Sequence, residues 1–221
     1  MTVAPVRRKV GKHIVHRRVR RFASSELTLD LGCGRHSTYV DDFSRRVGVD
    51  ICHDEGVDVV ADAHALPFSS GSFEQLVCSE VLEHLAHPQQ AASEMARVLR
   101  HGGRLVLTTP FVYPLHEAPH DYWRLTSYGL HQLFDPYFEI RELQDLYSEE
   151  ETLAILLQRV AFQRRGAPVR RYAYMLLAHL IFRFVSAPRA RRFQDIGQTV
   201  EGPFLTAGYI LVAHKRDRDN G

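Results

Sequence analysis

The stretch Leu29-Asp30-Leu31-Gly32-Cys33-Gly34 decides the fold. An apolar strand of the kind Leu27 to Leu31 forms runs straight into two glycines. Glycine admits tight dihedrals and close backbone approach, so this is a strand-to-helix turn that a ligand can approach. Working outward, further short apolar runs read as strands over Arg46–Ile51, Val57–Ala61, Glu74–Cys78, Arg104–Thr108 and Phe138–Leu143, with a last one over Tyr209–His214. Between them, Gln89–Leu99 has Ala92, Met95, Ala96 and Leu99 on one helical face, stopped by His101-Gly102-Gly103. A second helix is expected over Ser127–Phe134, and helices from Glu151 to about Arg192 with breaks at Pro168 and Pro188. Strands alternating with helices predict a parallel, doubly wound sheet covered on both faces. In such sheets ligands bind beyond the carboxyl ends of the strands.

The residues at those ends define a ligand. Asp50 closes the second strand, twenty residues after Asp30, where a carboxylate accepts hydrogen bonds from ribose hydroxyls. A dinucleotide fingerprint wants a third small residue after Gly34, and Ser37 stands there behind Arg35 and His36. A pyrophosphate also needs no anion near the turn, yet Asp30 precedes the glycines. An acid there suits a cationic ligand such as S-adenosylmethionine, which carries an ammonium and a sulfonium.

With these residues in place, the chain resembles the class I S-adenosylmethionine-dependent methyltransferases, in particular their type 11 group. Leu29–Gly34 is similar to the first motif, Val49-Asp50-Ile51 to the second and Asp62-Ala63-His64-Ala65-Leu66-Pro67-Phe68 to the third. Phe73–Leu85 resembles the fourth strand with the helix that follows, and Arg97–Gly103 the turn before strand five. The resemblance covers about Leu27 to Phe138. It implies a Rossmann-like, doubly wound, seven-stranded sheet whose last strand is antiparallel. It also implies a cofactor site built from Asp30, Gly32, Cys33, Gly34, Asp50, Ile51, Asp62, Ala63 and Ser79, with Asp62 facing the adenine amino group. Arg35 is placed to pair with the methionine carboxylate, or else is a solvated helix-start residue.

Methyl transfer is an in-line displacement in which the cofactor brings the reactive group. The protein holds the nucleophile and, where needed, removes its proton. Two clusters qualify. The first is Ser79, Glu80, Glu83 and His84 after strand four, where Glu80 and His84, four apart, would share a helix face as base and orienting partner. The second is His116-Glu117-Ala118-Pro119-His120-Asp121-Tyr122-Trp123-Arg124 after strand five. His84, His116 and His120 are candidate bases, Tyr122 a packing surface and Arg124 an anion contact. Against this stands a structural reading in which Asp121 and Arg124 pair to pin the loop. A metal reading of His116, His120 and Asp121 is the minor alternative, and no metal is expected.

The 221 residues are 45% apolar and 24% charged, with net charge +2, so the expectation is one domain. Its parts are an N-terminal basic amphipathic helical segment (1–24, helix from about Val6 to Phe22), a cofactor-binding core (25–145), a helical insertion (150–195) and the final strand (203–215). Cations concentrate in two acid-free stretches, with eight Lys or Arg over Arg7–Arg21 and nine Arg over Thr152–Gln194. The insertion is read as a lid, a homodimer interface or a peripheral membrane contact in which arginines meet anionic head groups. Three cysteines without a C-x-x-C pair argue against a disulfide framework or a zinc site and for a cytoplasmic protein. No Asn-Pro-Pro-Tyr or Pro-Cys signature follows strand four, which reads Cys78-Ser79-Glu80-Val81, so nucleic acid is disfavoured. The expected activity is methylation of O or N on a small-molecule or glycan-related acceptor, with an anionic acceptor favoured by a lid carrying arginines. The alternatives are a lipid-linked acceptor at the membrane surface and a cofactor-binding module that transfers no methyl.

Overall fold

The fold was obtained as a computed structural model, and it describes residues 11–34, 39, 42–163, 168–184, 192–195, 198–201 and 205–217. The expected helix residues Val6–Val10, together with Arg35, His36, Ser37, Pro188 and the arginines at 164, 165, 189 and 191, lie outside the described residues.

The strands are β1 (Thr28–Leu31), β2 (Arg46–Asp50), β3 (Val59–Val60), β4 (Phe73–Ser79), β5 (Leu99–Pro110), β6 (Phe138–Asp145), β7 (Arg192–Asp195), β8 (Gln198–Glu201) and β9 (Gly208–Lys215). The helices are α1 (Lys12–Arg20), α2 (Pro88–Val98), α3 (Ser127–Phe134), α4 (Glu149–Gln163) and α5 (Pro168–Phe184). Seven strands form one sheet in the order β3-β2-β1-β4-β5-β9-β6, with the last strand antiparallel. This is the expected doubly wound sheet. Its winding reverses beside β1, so the ends of β1 and β4 flank the switch point. β1 pairs in parallel with both β2 and β4, and the register sets Leu31 beside Val49 and beside Cys78. Gly32, Asp50 and Ser79, each one residue further on, therefore come out at a common edge.

The chain divides into two compact units. One comprises His16–Pro110, Leu115–Gln144 and Tyr209–Gly221. Its core is the buried face of β1, β4 and β5 (Leu29, Leu76, Cys78, Leu105, Leu107) against α2 (Ala91, Ala92, Met95) and α3 (Leu130, Phe134). Helix α2 starts on Pro88 at its first turn, where a missing N–H costs nothing. Helix α3 starts where the Thr126 hydroxyl accepts the Gly129 N–H at 3.1 Å. The other unit comprises Met1–Val15, Phe111–Pro114 and Asp145–Gly208. Here α4 begins in a capping box, with Ser148 N–H on Glu151 Oε2 at 2.9 Å and Glu151 N–H on Ser148 Oγ at 3.2 Å. Its Ala154, Ile155 and Ala161 are buried, as are Met175 and Ala178 of α5, and the two helices pack on each other. Arg171 lies 5.8 Å from the Phe162 ring across that pair, and Arg159 caps the Tyr113 ring at 4.7 Å.

Three differences from the sequence reading have physical causes. The glycines at 102 and 103 do not stop α2 as a C-cap. The helix ends at Val98, Leu99 is already extended, and Gly102 (φ +68°) serves a register shift at the start of a longer β5. The residues after β4 make no regular helix: Glu80 has φ +58°, excluded from a right-handed helix, and only a single 3₁₀ turn follows at Leu82–His84. The helices of the insertion end at Phe184, and an antiparallel hairpin of β7 and β8 follows, Asp195 opposite Gln198.

Candidate functional site

The first half of the site is built by main-chain turns. Gly32 has φ +69° and a Cβ there would overlap the Val81 side chain, so position 32 needs glycine for both conformation and space. Gly34 also has positive φ (+51°), with nothing within 4 Å of where a Cβ would stand among the described residues. The N–H groups of Gly32 and Cys33 both bond the Val49 carbonyl, at 2.7 and 3.1 Å, which fastens the turn to the end of β2. Asp50 accepts the Gly34 N–H at 3.0 Å on one oxygen and the Cys52 N–H at 3.0 Å on the other. Each oxygen keeps a lone pair for a hydroxyl of a ligand. Beside it Ile51 is an exposed apolar side chain, a flat contact for a ring. Asp62 accepts the His64 N–H at 2.9 Å, and that bond holds its carboxyl below the usual range. Ala63 beside it is buried. Arg97 fixes this segment by donating to the carbonyls of Phe68 (2.6 Å) and Leu66 (2.9 Å), while its partner Glu94 accepts the Leu66 N–H at 2.8 Å.

Asp30 lies beneath the turn. Its carboxylate is 2% exposed and accepts from Arg46 Nε at 2.9 Å and from the Tyr39 hydroxyl at 3.3 Å. Burial pushes its pKa up, and the Arg46 guanidinium opposes that. Asp30 thus ties β1 to β2 beneath the glycine turn. Arg46 was missed in the sequence because nothing in a strand residue facing a neighbour marks it. Ser79, at the end of β4, shares a hydrogen bond of 2.9 Å with Thr108 of β5. Cys33 and Cys78 are both buried, and burial pushes the Cys33 thiol up to about 11.

The second half is built by side chains from two segments. Main-chain bonds fold the loop after β5 onto the turn after β4. Tyr122 N–H (2.8 Å) and Trp123 N–H (3.3 Å) both donate to the Glu83 carbonyl, and Trp123 Nε1 donates to the Leu85 carbonyl at 2.8 Å. This brings His84 and His116 to 4.9 Å between ring centres. Arg124 grips Asp121 with two bonds, 2.6 and 2.7 Å, and Asp121 also accepts the His116 N–H at 2.9 Å. Arg124 is the main reason the Asp121 carboxyl sits far below the usual range. The pairing of Asp121 with Arg124 is therefore formed, and it shapes the loop. His84 Nδ1 donates to the His120 carbonyl at 2.6 Å. The His120 ring turns away to the surface, 2.9 Å from the Tyr122 hydroxyl.

Two acids lie underneath. Glu80 is held above the usual carboxylate range by burial, with Glu83 as the second cause, and its Oε1 has no hydrogen-bond partner. Glu83 is 0% exposed, and among the described residues neither of its carboxylate oxygens has a hydrogen-bond partner. Its carboxylate is the leading cause that lifts the His116 imidazole above its ordinary value. The two non-glycine residues with positive φ among the described residues, Glu80 (+58°) and Glu117 (+52°), both border this cluster, as strained backbone at a functional site does. Of the residues the sequence singled out, His84, His116, Asp121 and Arg124 converge, whereas His120 and Tyr122 pair with each other outside. The expected partnership of Glu80 with His84 on one helix face is replaced by the 3₁₀ turn, and Glu83 is the acid that reaches the imidazoles. The sequence signal for Glu83 is an acid inside the apolar run Val81-Leu82-Glu83-His84-Leu85.

The sheet order, with glycines after β1, an acid ending β2 and an acid after β3, agrees with what the sequence resemblance implies. Residues 29–107 are similar to the family described as "Methyltransferase domain". Among curated proteins, the ubiquinone/menaquinone biosynthesis C-methyltransferase of Salmonella arizonae is 30% identical over 112 residues, 48% of this chain and 45% of that protein. The chain spans less than half the length of the curated relatives it first matches, 30% and 45%. Among solved structures, a possible histamine N-methyltransferase, S-adenosylmethionine-dependent, of Thermotoga maritima aligns with TM-score 0.60 at 14% identity, over 94% of this chain and 90% of that one. A 4+2 cyclase aligns with TM-score 0.58 at 17% identity, over 92% and 80%. At such identities these structures share the fold.

Proposed function

We propose that the protein binds S-adenosylmethionine across Gly32, Cys33, Gly34, Asp50, Ile51, Asp62, Ala63 and Ser79 and transfers its methyl group to O or N of a small-molecule acceptor. The observation that carries the reading is the common edge on which Gly32, Asp50 and Ser79 emerge, with Asp50 able to accept ribose hydroxyls and exposed Ile51 beside it. The family match and the relatives named as methyltransferases support it. In this reading His84 and His116 face the acceptor, Arg124 and Asp121 hold the loop that carries His116, and His120 and Tyr122 form its outer rim. A carboxyl or imidazole of the cluster takes the acceptor's proton where the acceptor needs to lose one. Calorimetry with S-adenosylhomocysteine, followed by incubation of the protein with labelled S-adenosylmethionine and small-molecule extracts, tests it. Binding with label transfer supports it. Tight binding without transfer to any fraction favours the cofactor-binding module.

A second reading, an acceptor at a membrane surface, draws on α5. Val169, Tyr172, Leu176, Leu177 and Leu180 are exposed along one face of that helix, with Arg170 and Arg171 near its start. Among the described residues no helix is long and apolar enough to cross a membrane. Co-sedimentation with anionic vesicles at low salt, lost as salt rises, is its expected signature. No binding at low salt eliminates it.

A further inference from the structure

We infer that Glu83, His84 and His116 form a site for one divalent transition-metal ion of the zinc class, the Glu83 carboxylate and the two imidazole Nε2 atoms being its ligands. Glu83 Oε1 lies 3.6 Å from His84 Nε2 and 3.7 Å from His116 Nε2. One ligand atom from each of the three residues lies within 4.8 Å of the other two. An ion about 2.1 Å from each of three tetrahedrally disposed ligands sets them about 3.4 Å apart, close to these separations. They are too long for hydrogen bonds.

The chemistry of the cluster asks for a cation. A fully buried carboxylate with no hydrogen bond on either oxygen among the described residues is costly, and an ion is one of the few things that account for it. The two rings stand 4.9 Å apart between centres, and a single ion between the three atoms satisfies both rings and the acid. The outer contacts also suit ligation. His84 Nδ1 donates to the His120 carbonyl, which leaves Nε2 as the ring nitrogen turned toward Glu83. His116 Nδ1 lies between Asp121 Oδ2 at 3.2 Å and Arg124 Nη2 at 3.5 Å, which fixes the ring with Nε2 toward Glu83. A histidine ligand backed by a carbonyl or a carboxylate is the usual outer arrangement at zinc. The exposed Glu117, its Oε2 3.7 Å from His84 Nε2, stands ready as a further oxygen. Two nitrogens and one oxygen suit zinc, cobalt, nickel or iron better than calcium or magnesium, and three protein ligands leave a position open for an oxygen or nitrogen of a bound molecule.

This site goes beyond the methyl-transfer reading and is tested without cofactor or acceptor. Untagged protein, stripped with a chelator and dialysed, is titrated with Zn²⁺ by calorimetry and with Co²⁺ by visible absorption. The expected result is one equivalent bound at micromolar or tighter affinity, with the intense d–d bands of low-symmetry cobalt. Glu83→Gln, which keeps the shape of the side chain, and His116→Ala should each weaken binding at least tenfold, while His131→Ala, outside the cluster, leaves it unchanged. Circular dichroism establishes that each variant is folded, and Glu83→Gln decides the matter if His116→Ala is not. Binding that is weaker than micromolar, that lacks those bands, or that Glu83→Gln leaves unaltered overturns the inference.

Discussion

The glycine turn at Gly32–Gly34 and the cluster at Glu83, His84 and His116 differ in what makes them. The turn is a main-chain object. Its positions are set by strand register and by φ values that glycine adopts freely, and its acids act from strand ends. The cluster is a side-chain object, assembled from segments more than thirty residues apart and held by a few loop bonds. The first kind of site tolerates exchange of side chains around it but not of glycine. The second depends on each side chain and on the pair that pins its loop.

The sharpest break of this contrast is Gly32→Ala. Overlap with Val81 and a left-handed φ together should cost about 3 kcal/mol. Gly34→Ala, with positive φ but open space, should cost only about 1 kcal/mol. Urea unfolding measures both, and equal losses would mean that close approach at position 32 is not what glycine serves. Next comes Asp121→Asn, which removes the acceptor of a bidentate charged pair and should destabilise by about 2 kcal/mol in the same assay. A loss below a few tenths would show that the loop holds its shape without the pair. Asp50→Ala should weaken S-adenosylhomocysteine about tenfold by calorimetry, or about 1.4 kcal/mol. Unchanged affinity would remove Asp50 from the cofactor site.

The smallest effect separates a paired acid from a lone one. Burial lifts the Asp145 carboxyl from 3.8 to about 6. Its folded pKa lies above the unfolded value, so the fold disfavours the ionised form. That penalty is absent below about pH 4 and complete above about pH 6. Asp145→Asn should therefore stabilise by about 1 kcal/mol near pH 7.5, allowing for its partial exposure, and not at all near pH 3.5. Melting curves at the two pH values check the sign, which is opposite to that of Asp121→Asn.

The difference in construction also explains what could be read in advance. Helix α3 was legible to the residue, because Thr126 caps it and its apolar spacing is regular. The order of the strands and the glycine turn followed from alternation and from residue types at strand ends. The pair β7 and β8 was hidden because the apolar and arginine-rich pattern carried the expected helices past the Pro188 break to about Arg192. In the cluster, the residue types in each segment were visible, but not their meeting. That meeting rests on Tyr122 and Trp123 N–H groups reaching the Glu83 carbonyl, and main-chain bonds between distant segments leave no trace in side-chain identity. The role of Asp30 was obscured in the same way, since Arg46 claims it across a strand pair.

One of those loop residues has an optical consequence. Trp123 is the single tryptophan of the chain, and its indole is bonded to the Leu85 carbonyl at the rim of the cluster. Red-edge excitation therefore draws light from this one place. The intrinsic emission of the unlabelled protein is a local gauge of the loop, and quenching by a paramagnetic ion such as Co²⁺ or a shift of its maximum on adding an acceptor reads events there without any engineered probe.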